Sequence, residues 1–264
     1  QGEIVAGVLV KAGQQAQVVQ HPGGKQMRFV EEQHRSHLLA SGQLQQSLLD
    51  LAQQVGLAKV RLQLEAARDL AAKAFTVAPA TNTLITLATY QAAAGDSAGA
   101  LERYAGWVDE HPQDMGARMA YANNLQLAQR LDEAGLQYAR VLEASPDNAI
   151  ALNNQAWIIR NDDPAKALDY ARRASELAPD SADVLDTLAV VEYINKDYPR
   201  AQRSIERALQ ASPAHPSLLY HSAMIAAAAG DKATARDTLD KLLATDPDFP
   251  EIADAKALLT ELGK

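Results

Sequence analysis

The 264-residue chain contains no cysteine, and only 5% of its residues are aromatic. The lack of cysteine excludes disulfides and thiol chemistry, and it fits either the cytoplasm or the periplasm. No apolar run reaches the roughly 18 residues that a membrane-spanning helix requires. The 25 Lys and Arg residues are outnumbered by 33 Asp and Glu, which gives a net charge of −8. This balance argues against a nucleic-acid partner, because such a partner needs a basic surface.

Catalytic signatures are also missing from the sequence. There is no GxSxG nucleophile motif, no P-loop and no GxGxxG dinucleotide motif, so we expect neither an enzyme nor a cofactor. Glu31, His34 and His37 have a spacing that could place a carboxylate and two imidazoles on one helix face for a metal. A solvated helix face is the favoured interpretation of this trio, and we expect no metal site.

What the chain does contain is a regular repeat. Six prolines are separated by 33, 34, 33, 34 and 34 residues, and an alanine stands twelve residues before each: Pro79, Pro112, Pro146, Pro179, Pro213 and Pro247, with Ala67, Ala100, Ala134, Ala167, Ala201 and Ala235. A fixed period of this length predicts a solenoid of stacked helix pairs. Such an array displays a long binding surface rather than a catalytic pocket.

Turn signals divide each repeat into two helices. In the unit before Pro112, Gly95 suits the left-handed position after a helix, and Asp96 or Ser97 can cap the next helix. In another unit the turn Asn161-Asp162-Asp163-Pro164 offers cap residues and a proline at the first helical position. An amphipathic helix near residues 251–262 is expected to cover the last open face, as terminal repeats require.

These residues resemble the tetratricopeptide repeat (TPR), whose pattern is W-x2-L-G-x2-Y, then A-x3-F, then P. Gly95, Ala100, Tyr104 and Pro112 fit this pattern in register, as do Ala122, Ala134, Tyr138 and Pro146. The resemblance implies an all-α, right-handed α-solenoid of helix-turn-helix units with a C-terminal capping helix. The family usually has a small residue late in the second helix. Trp107 departs from this pattern, and we expect it to bulge into the packing of the next unit.

We divide the chain into three segments on this basis. Residues 64–247 form the TPR array and residues 248–264 the capping helix. Residues 1–63 hold 13 of the 21 glutamines and are interpreted as degenerate helical repeats. A β-hairpin around His21-Pro22-Gly23-Gly24, with strands at residues 8–19 and 26–30, is the alternative. The chain begins at Gln1, and we expect it to be a fragment, so that any signal peptide, lipid anchor or preceding repeats would lie outside it.

The resemblance implies that the first helix of each unit lines a concave groove. The expected groove residues combine amides, aromatics and methionines, which suit the backbone and side chains of an extended peptide. They are Met119, Asn123, Gln126, Asn153, Asn154, Trp157, Arg160, Asp183, Asp186, Val190, Tyr193, Tyr220 and Met224. For Trp157, packing between neighbouring first helices is an alternative to ligand contact. We place His221 on the surface or in the groove.

One known TPR binding mode clamps the terminal carboxylate of a chaperone tail with asparagines and basic residues. Asn123 and Asn154 match the asparagine positions of that clamp. The basic positions hold Met119, Asp183 and Thr187 instead, so this mode is not expected here.

The stretch that begins LNNQAWIIRNDDPAKALDYA resembles the C-terminal repeats of bacterial TPR proteins tied to exopolysaccharide systems, especially PEP-CTERM-system TPR lipoproteins. This resemblance implies an envelope-associated scaffold or adaptor with a protein or peptide partner, in the periplasm or at the outer membrane; a cytoplasmic location stays open. Two alternatives are a groove that binds glycans directly through Trp157, Tyr193 and Tyr220, and a self-assembling structural spacer.

Overall fold

The computed structural model describes residues 56, 58–245 and 248–263. The chain divides into two compact units, residues 1–62 and 63–264. Of the first unit, only residues 56 and 58–62 are described, and they are helical. The interpretation of residues 1–63 as degenerate repeats, the hairpin alternative and the trio Glu31, His34 and His37 therefore lie outside the described residues and stay predictions.

The described part of the second unit is a succession of helices with no strand. Residues 63–77 form α1. The helices that follow are α2 (Thr81–Ala93), α3 (Ser97–Glu110), α4 (Met115–Leu127), α5 (Leu131–Ala144), α6 (Ala149–Ile159), α7 (Pro164–Leu177), α8 (Ala182–Ile194), α9 (Tyr198–Ala211), α10 (Pro216–Ala228), α11 (Lys232–Thr245) and α12 (Ile252–Leu262). Each helix from α2 to α12 packs against the next one along the chain. The architecture is the α-solenoid that the repeat predicted.

The periodic alanines and prolines explain the register of this stack. The five alanines from Ala100 to Ala235 are at most 1% exposed, because each lies where two helices cross closely. The residues before four of the prolines are the C-caps of α3, α5, α7 and α9, with φ from −125° to −141° and ψ from 65° to 79°. A proline disfavours the helical conformation in the residue before it, so each second helix ends there.

The turns inside the units confirm the capping predictions. Asp96 accepts a hydrogen bond from the Gly99 amide at 2.9 Å, and Asp163 accepts one from the Lys166 amide at 3.1 Å. Gly95 has a φ of 97°. In two other units this left-handed turn position holds Gln129 and Lys196, with φ of 60° and 62°. The turn geometry is therefore retained even where a side chain must tolerate a conformation that favours glycine.

Trp107 joins successive units. Its ring centroid is 5.6 Å from that of Phe75 in α1 and 3.9 Å from that of His111. Its Nε1 donates a hydrogen bond to Asp114 Oδ2 at 2.8 Å, and Asp114 caps α4. Although burial opposes the shift, hydrogen bonds from Thr81, Ala117 and Trp107 lower the pKa of Asp114. The large indole thus anchors the start of the next unit through a specific acceptor.

The end of the array is covered as expected. Phe249 and Ala255 are buried together with Ala235, Leu239 and Leu242 of α11, and Leu258, Leu259 and Leu262 of α12 pack onto this cluster. No described helix is both long enough and apolar enough to cross a membrane.

Candidate functional site: the inner row of helices

The first helices of the units form a connected row along the stack. Direct contacts join α2 to α4, α6 to α8, α8 to α10 and α10 to α12. Among the described residues, the second helices α3, α5, α7 and α9 make no comparable contact with one another. The side chains of Asn154 and Asn123 join α6 to α4. The even-numbered helices are therefore the more closely connected row, and we take this row as the candidate inner side of the array.

All the expected groove residues except Asn154 and Asp183 fall on three recurring positions of these helices; Asp183 lies four residues after Pro179. The three positions lie 7, 11 and 14 residues after the proline that precedes each unit. After Pro112 the three positions hold Met119, Asn123 and Gln126; after Pro146 they hold Asn153, Trp157 and Arg160; after Pro179 they hold Asp186, Val190 and Tyr193; after Pro213 the first two hold Tyr220 and Met224. Asn154 lies one residue beyond the first position. The sequence thus places these side chains in one row along adjacent helices.

Burial separates one predicted residue from the others. Val190 is only 6% exposed, because it lies on the tightly packed helix α8, where seven other residues are buried as well. Its assignment as a contact residue is therefore wrong, and it belongs to the core. Asn123 and Asp183 are exposed, and the other expected groove residues are half-buried.

A hydrogen-bond network around Tyr138 connects two units of the inner row. The Tyr138 side chain is fully buried, and its hydroxyl lies 2.7 Å from Asn123 Oδ1 and 2.9 Å from Gln126 Oε1. Its single proton can be donated to either oxygen. Asn154 Nδ2 donates to the Tyr138 hydroxyl at 2.9 Å and approaches Asn123 Oδ1 at 3.4 Å. Burial raises the pKa of Tyr138 to about 12, although the hydrogen bond from Asn154 acts in the opposite direction.

This network changes the roles expected for the asparagines. Asn154 Nδ2 has two acceptors within the protein, the Tyr138 hydroxyl and Asn123 Oδ1, and its Oδ1 accepts from Asn153 Nδ2 at 3.3 Å. It therefore ties α6 to α4 and α5, and it has little left for a ligand. The side-chain amides of Asn123 and Gln126 use only their oxygens in hydrogen bonds with the protein. Within the described part of the chain, their amide nitrogens donate to no protein atom, so these two groups are available to a partner.

A second cluster spans three units around Trp157. The guanidinium carbon of Arg160 lies 4.0 Å from the centroid of the Trp157 ring, and Arg160 Nη1 donates to the Trp157 carbonyl oxygen. On another side, the His221 ring centroid is 6.3 Å from that of Trp157. Trp157 thus packs against Arg160 of its own helix and against His221 of α10. Packing between first helices is therefore one of its roles, and its contact with a ligand stays a prediction.

His221 is the residue that the sequence interpretation placed least well. It is only 6% exposed, and its Nδ1 lies 2.7 Å from Asp186 Oδ1. The expectation of a surface position is wrong. The sequence carries no signal for its pairing with Asp186 of the preceding unit, because the repeat period places a residue on its helix and not opposite a particular partner. Tyr220 is adjacent, with its ring centroid 5.4 Å from that of His221, and burial raises the pKa of Tyr220.

Electrostatically, the inner row is sparse in basic groups. Arg160 is half-buried, and burial lowers its pKa. Among residues 58–245 and 248–263, no group of three or more potential metal ligands occurs. The row therefore combines amide donors, aromatic rings and methionines with one stacked arginine and one Asp–His pair.

These features define a repeat protein of stacked helix pairs whose inner row is a candidate binding face. Residues 192–259 match the family described as the tetratricopeptide repeat, and the fold of the array is that of TPR proteins. The fold is one that serves as a scaffold for protein–protein interaction, and proteins with it are generally non-catalytic. A search of the curated proteins found no match.

Several solved structures share the fold. A tetratricopeptide repeat protein from Parabacteroides merdae is 19% identical, with a TM-score of 0.62 over 75% of this chain and 78% of that one. YrrB, described as a TPR protein with an unusual peptide-binding site, is 19% identical, with a TM-score of 0.55 over 72% of this chain and 100% of that one. The Cut9–Hcn1 hetero-tetramer of APC/C gives 16% identity and a TM-score of 0.64 over 76% of this chain and 40% of that one. At these identities, the likeness shows the fold alone.

Proposed function

We propose that the protein is a binding scaffold whose inner helix row holds an extended peptide segment or a partner domain. The observation that carries the proposal is the row itself: α4, α6 and α10 present unburied amide, aromatic or methionine side chains at the same recurring positions, and α8 adds Tyr193. A continuous surface of this kind matches a ligand that extends across several units. The description of YrrB as peptide-binding and the presence of Cut9 in a complex with Hcn1 support this use of the fold.

Donor groups for the peptide backbone come from the Tyr138 network. The Tyr138 hydroxyl donates its single proton to the side-chain oxygen of Asn123 or of Gln126, and it thereby orients one of these two amides at a time. Their nitrogens are left to donate to peptide carbonyls, which lowers the entropy that binding must overcome. Met119, Tyr193 and Met224 are half-buried and add adaptable apolar area.

The test is to isolate a partner from the native organism and to measure its affinity for the parent chain and for variants. Asn123→Ala should weaken binding by about 0.5–1.5 kcal/mol through one lost hydrogen bond. Tyr193→Ala should weaken binding by about 2 kcal/mol, as expected for an aromatic anchor. Leu136→Ala is the control, because Leu136 lies on the second helix α5 and is 64% exposed. Parent-like binding by both row variants would exclude the inner row as the working surface.

We further propose that this scaffold acts in an envelope-associated system for exopolysaccharide assembly or export. The support is the sequence resemblance of the LNNQAW…DPAKAL stretch to TPR proteins of such systems. Fractionation of native cells followed by immunodetection tests the location: the protein should be found with the periplasm or the outer membrane. Recovery in the cytoplasmic fraction alone would contradict the envelope role without affecting the binding proposal.

Direct glycan binding is less well supported than peptide binding. Stacking on a sugar requires an open aromatic face, but one face of Trp157 is covered by Arg160. The other two candidate rings also have aromatic neighbours: Tyr193 lies 5.9 Å from Tyr198, and Tyr220 lies 5.4 Å from His221.

A further inference from the structure

Arg160 occupies an unusual position on the inner row. It is the C-cap residue of α6, and its guanidinium stacks on Trp157 while Nη1 donates to the Trp157 carbonyl oxygen. The other N–H groups of this guanidinium donate to no protein atom among the described residues. None of its nitrogens is both buried and without a partner, so the open N–H groups are accessible to solvent.

No carboxylate neutralises this half-buried cation in the described part of the array. Other arginines contrast with it: Arg130 pairs with Glu133 at 2.6 Å, and Arg140 pairs with Glu143 at 2.9 Å. On the inner row, the carboxylate of Asp186 is already engaged by His221 at 2.7 Å. The pKa of Arg160 is lowered by burial alone, with no acidic group acting against that shift. Arg103 and Arg118 are also half-buried and form no ion pair with a described residue, but they donate to Gln91 Oε1 and Gln137 Oε1. Arg160 differs from them because its guanidinium lies over an aromatic ring.

Since the peptide groove is itself a proposal, the next step rests on it. We propose that Arg160 is the subsite for a carboxylate of the bound peptide, the side chain of an Asp or Glu residue that crosses α6. Guanidinium and carboxylate form bidentate hydrogen bonds in a fixed plane. Stacking on Trp157 holds that plane before the ligand arrives, and partial burial strengthens the attraction.

This subsite is distinct from the clamp for chaperone tails. The basic positions of that clamp hold Met119, Asp183 and Thr187 in this chain. Arg160 lies 14 residues after Pro146, next to the Trp157 ring, and it recognises a single carboxylate within the segment. The expected ligand is therefore an extended peptide with apolar residues around one acidic residue.

The experiment selects a displayed library of random dodecapeptides on the full chain, and in parallel on Arg160→Gln and Arg140→Gln. Arg140→Gln is the matched control, because it removes the same charge from an exposed arginine outside the inner row. Selection on the parent chain and on Arg140→Gln should enrich Asp or Glu at one position. Selection on Arg160→Gln should lose that enrichment and keep the neighbouring apolar preferences.

A synthetic peptide from the selection then gives the magnitude. Arg160→Gln should weaken its binding on the order of 10- to 100-fold, and Arg140→Gln by about twofold or less. Replacing the acidic residue of the peptide by the corresponding amide should weaken its binding to the parent chain by the same factor. The same replacement should cause little further loss of affinity for Arg160→Gln. Circular dichroism checks that the variant folds. If Arg160→Gln is unstable, Arg160→Lys, which keeps the charge but lacks the planar fork, should give an intermediate loss.

Three outcomes overturn the inference in distinguishable ways. Selected peptides without an acidic preference, whose binding is weakened by Asn123→Ala, would leave the binding groove standing and remove the carboxylate subsite. Binding of trigalacturonate that depends on Arg160, without enrichment of acidic peptides, would assign the subsite to a sugar acid instead. Failure of the parent chain to select any peptide would count against both the groove and its subsite.

Discussion

Replacing Tyr138 with phenylalanine tests the network that orders the inner row. The change removes a hydroxyl that donates one hydrogen bond, to Asn123 or Gln126, and accepts another from Asn154. Two lost hydrogen bonds at about 0.5–1.5 kcal/mol each correspond to ~1–3 kcal/mol. Because Asn123 is exposed, water can replace part of the loss. We therefore expect the free energy of unfolding to fall by about 1–2 kcal/mol.

The assay is urea unfolding at neutral pH, monitored by far-ultraviolet circular dichroism, with the midpoint shifted and the slope unchanged. The chain offers a matched control in Tyr104, which precedes Pro112 by the same eight residues that separate Tyr138 from Pro146. Tyr104 is 1% exposed, but within the described residues its hydroxyl makes no hydrogen bond to protein. Tyr104→Phe should change the stability by about 0.5 kcal/mol or less.

A double-mutant cycle tests whether Asn154 is the residue that donates a hydrogen bond to the Tyr138 hydroxyl. In the Tyr138→Phe background, Asn154→Ala should cost less than in the parent chain by about 0.5–1.5 kcal/mol, because the shared hydrogen bond is already absent. Equal losses from Tyr138→Phe and Tyr104→Phe, or strictly additive effects of the two changes in the cycle, would refute the network and the orientation it gives to the amides of the row.

Three further changes test the packing, a turn and a buried acid. Ala134→Leu should destabilise the fold by about 1–3 kcal/mol through overpacking at a helix crossing, whereas Lys232→Ala on the surface should stay within about 0.5 kcal/mol; similar urea midpoints would contradict the repeat register. Gln129→Gly should raise the thermal midpoint of unfolding slightly. A residue other than glycine in the left-handed backbone conformation costs about 1–2 kcal/mol, and the added chain entropy of glycine offsets about 0.5–1 kcal/mol of that gain. A lower midpoint would argue against the turn geometry. Glu192 is 4% exposed, and burial raises its pKa although Ser204 donates to it at 2.7 Å. Its protonated form therefore stabilises the fold below the unfolded pKa, and this contribution is lost as the pH rises through the folded pKa. Glu192→Gln should accordingly be more stable than the parent at pH 7 and nearly equal to it at pH 4, and an advantage of the same size at both pH values would contradict this origin.

The sequence by itself determined the architecture of the array. The alanines and prolines at intervals of 33 and 34 residues fix where helices cross and where they end, because both effects are local: a methyl group permits close approach, and a proline excludes helix from the residue before it. The same period places Met119, Asn153, Asp186 and Tyr220 at one position of successive first helices. These assignments require no knowledge of long-range contacts.

What only the tertiary structure decided is how the side chains of the row are used. The sequence predicted that Asn154 contacts a ligand, but its side-chain amide donates a hydrogen bond to the Tyr138 hydroxyl on a neighbouring helix. Val190 follows the period of the row, yet the packing of α8 buries it. His221 is also buried, and its ring pairs with the carboxylate of Asp186 in the preceding unit. Each outcome depends on which atoms from different helices meet at hydrogen-bond or contact distance. Periodicity fixes the position of a residue on its helix, whereas the partner of its side chain depends on how separate helices come together.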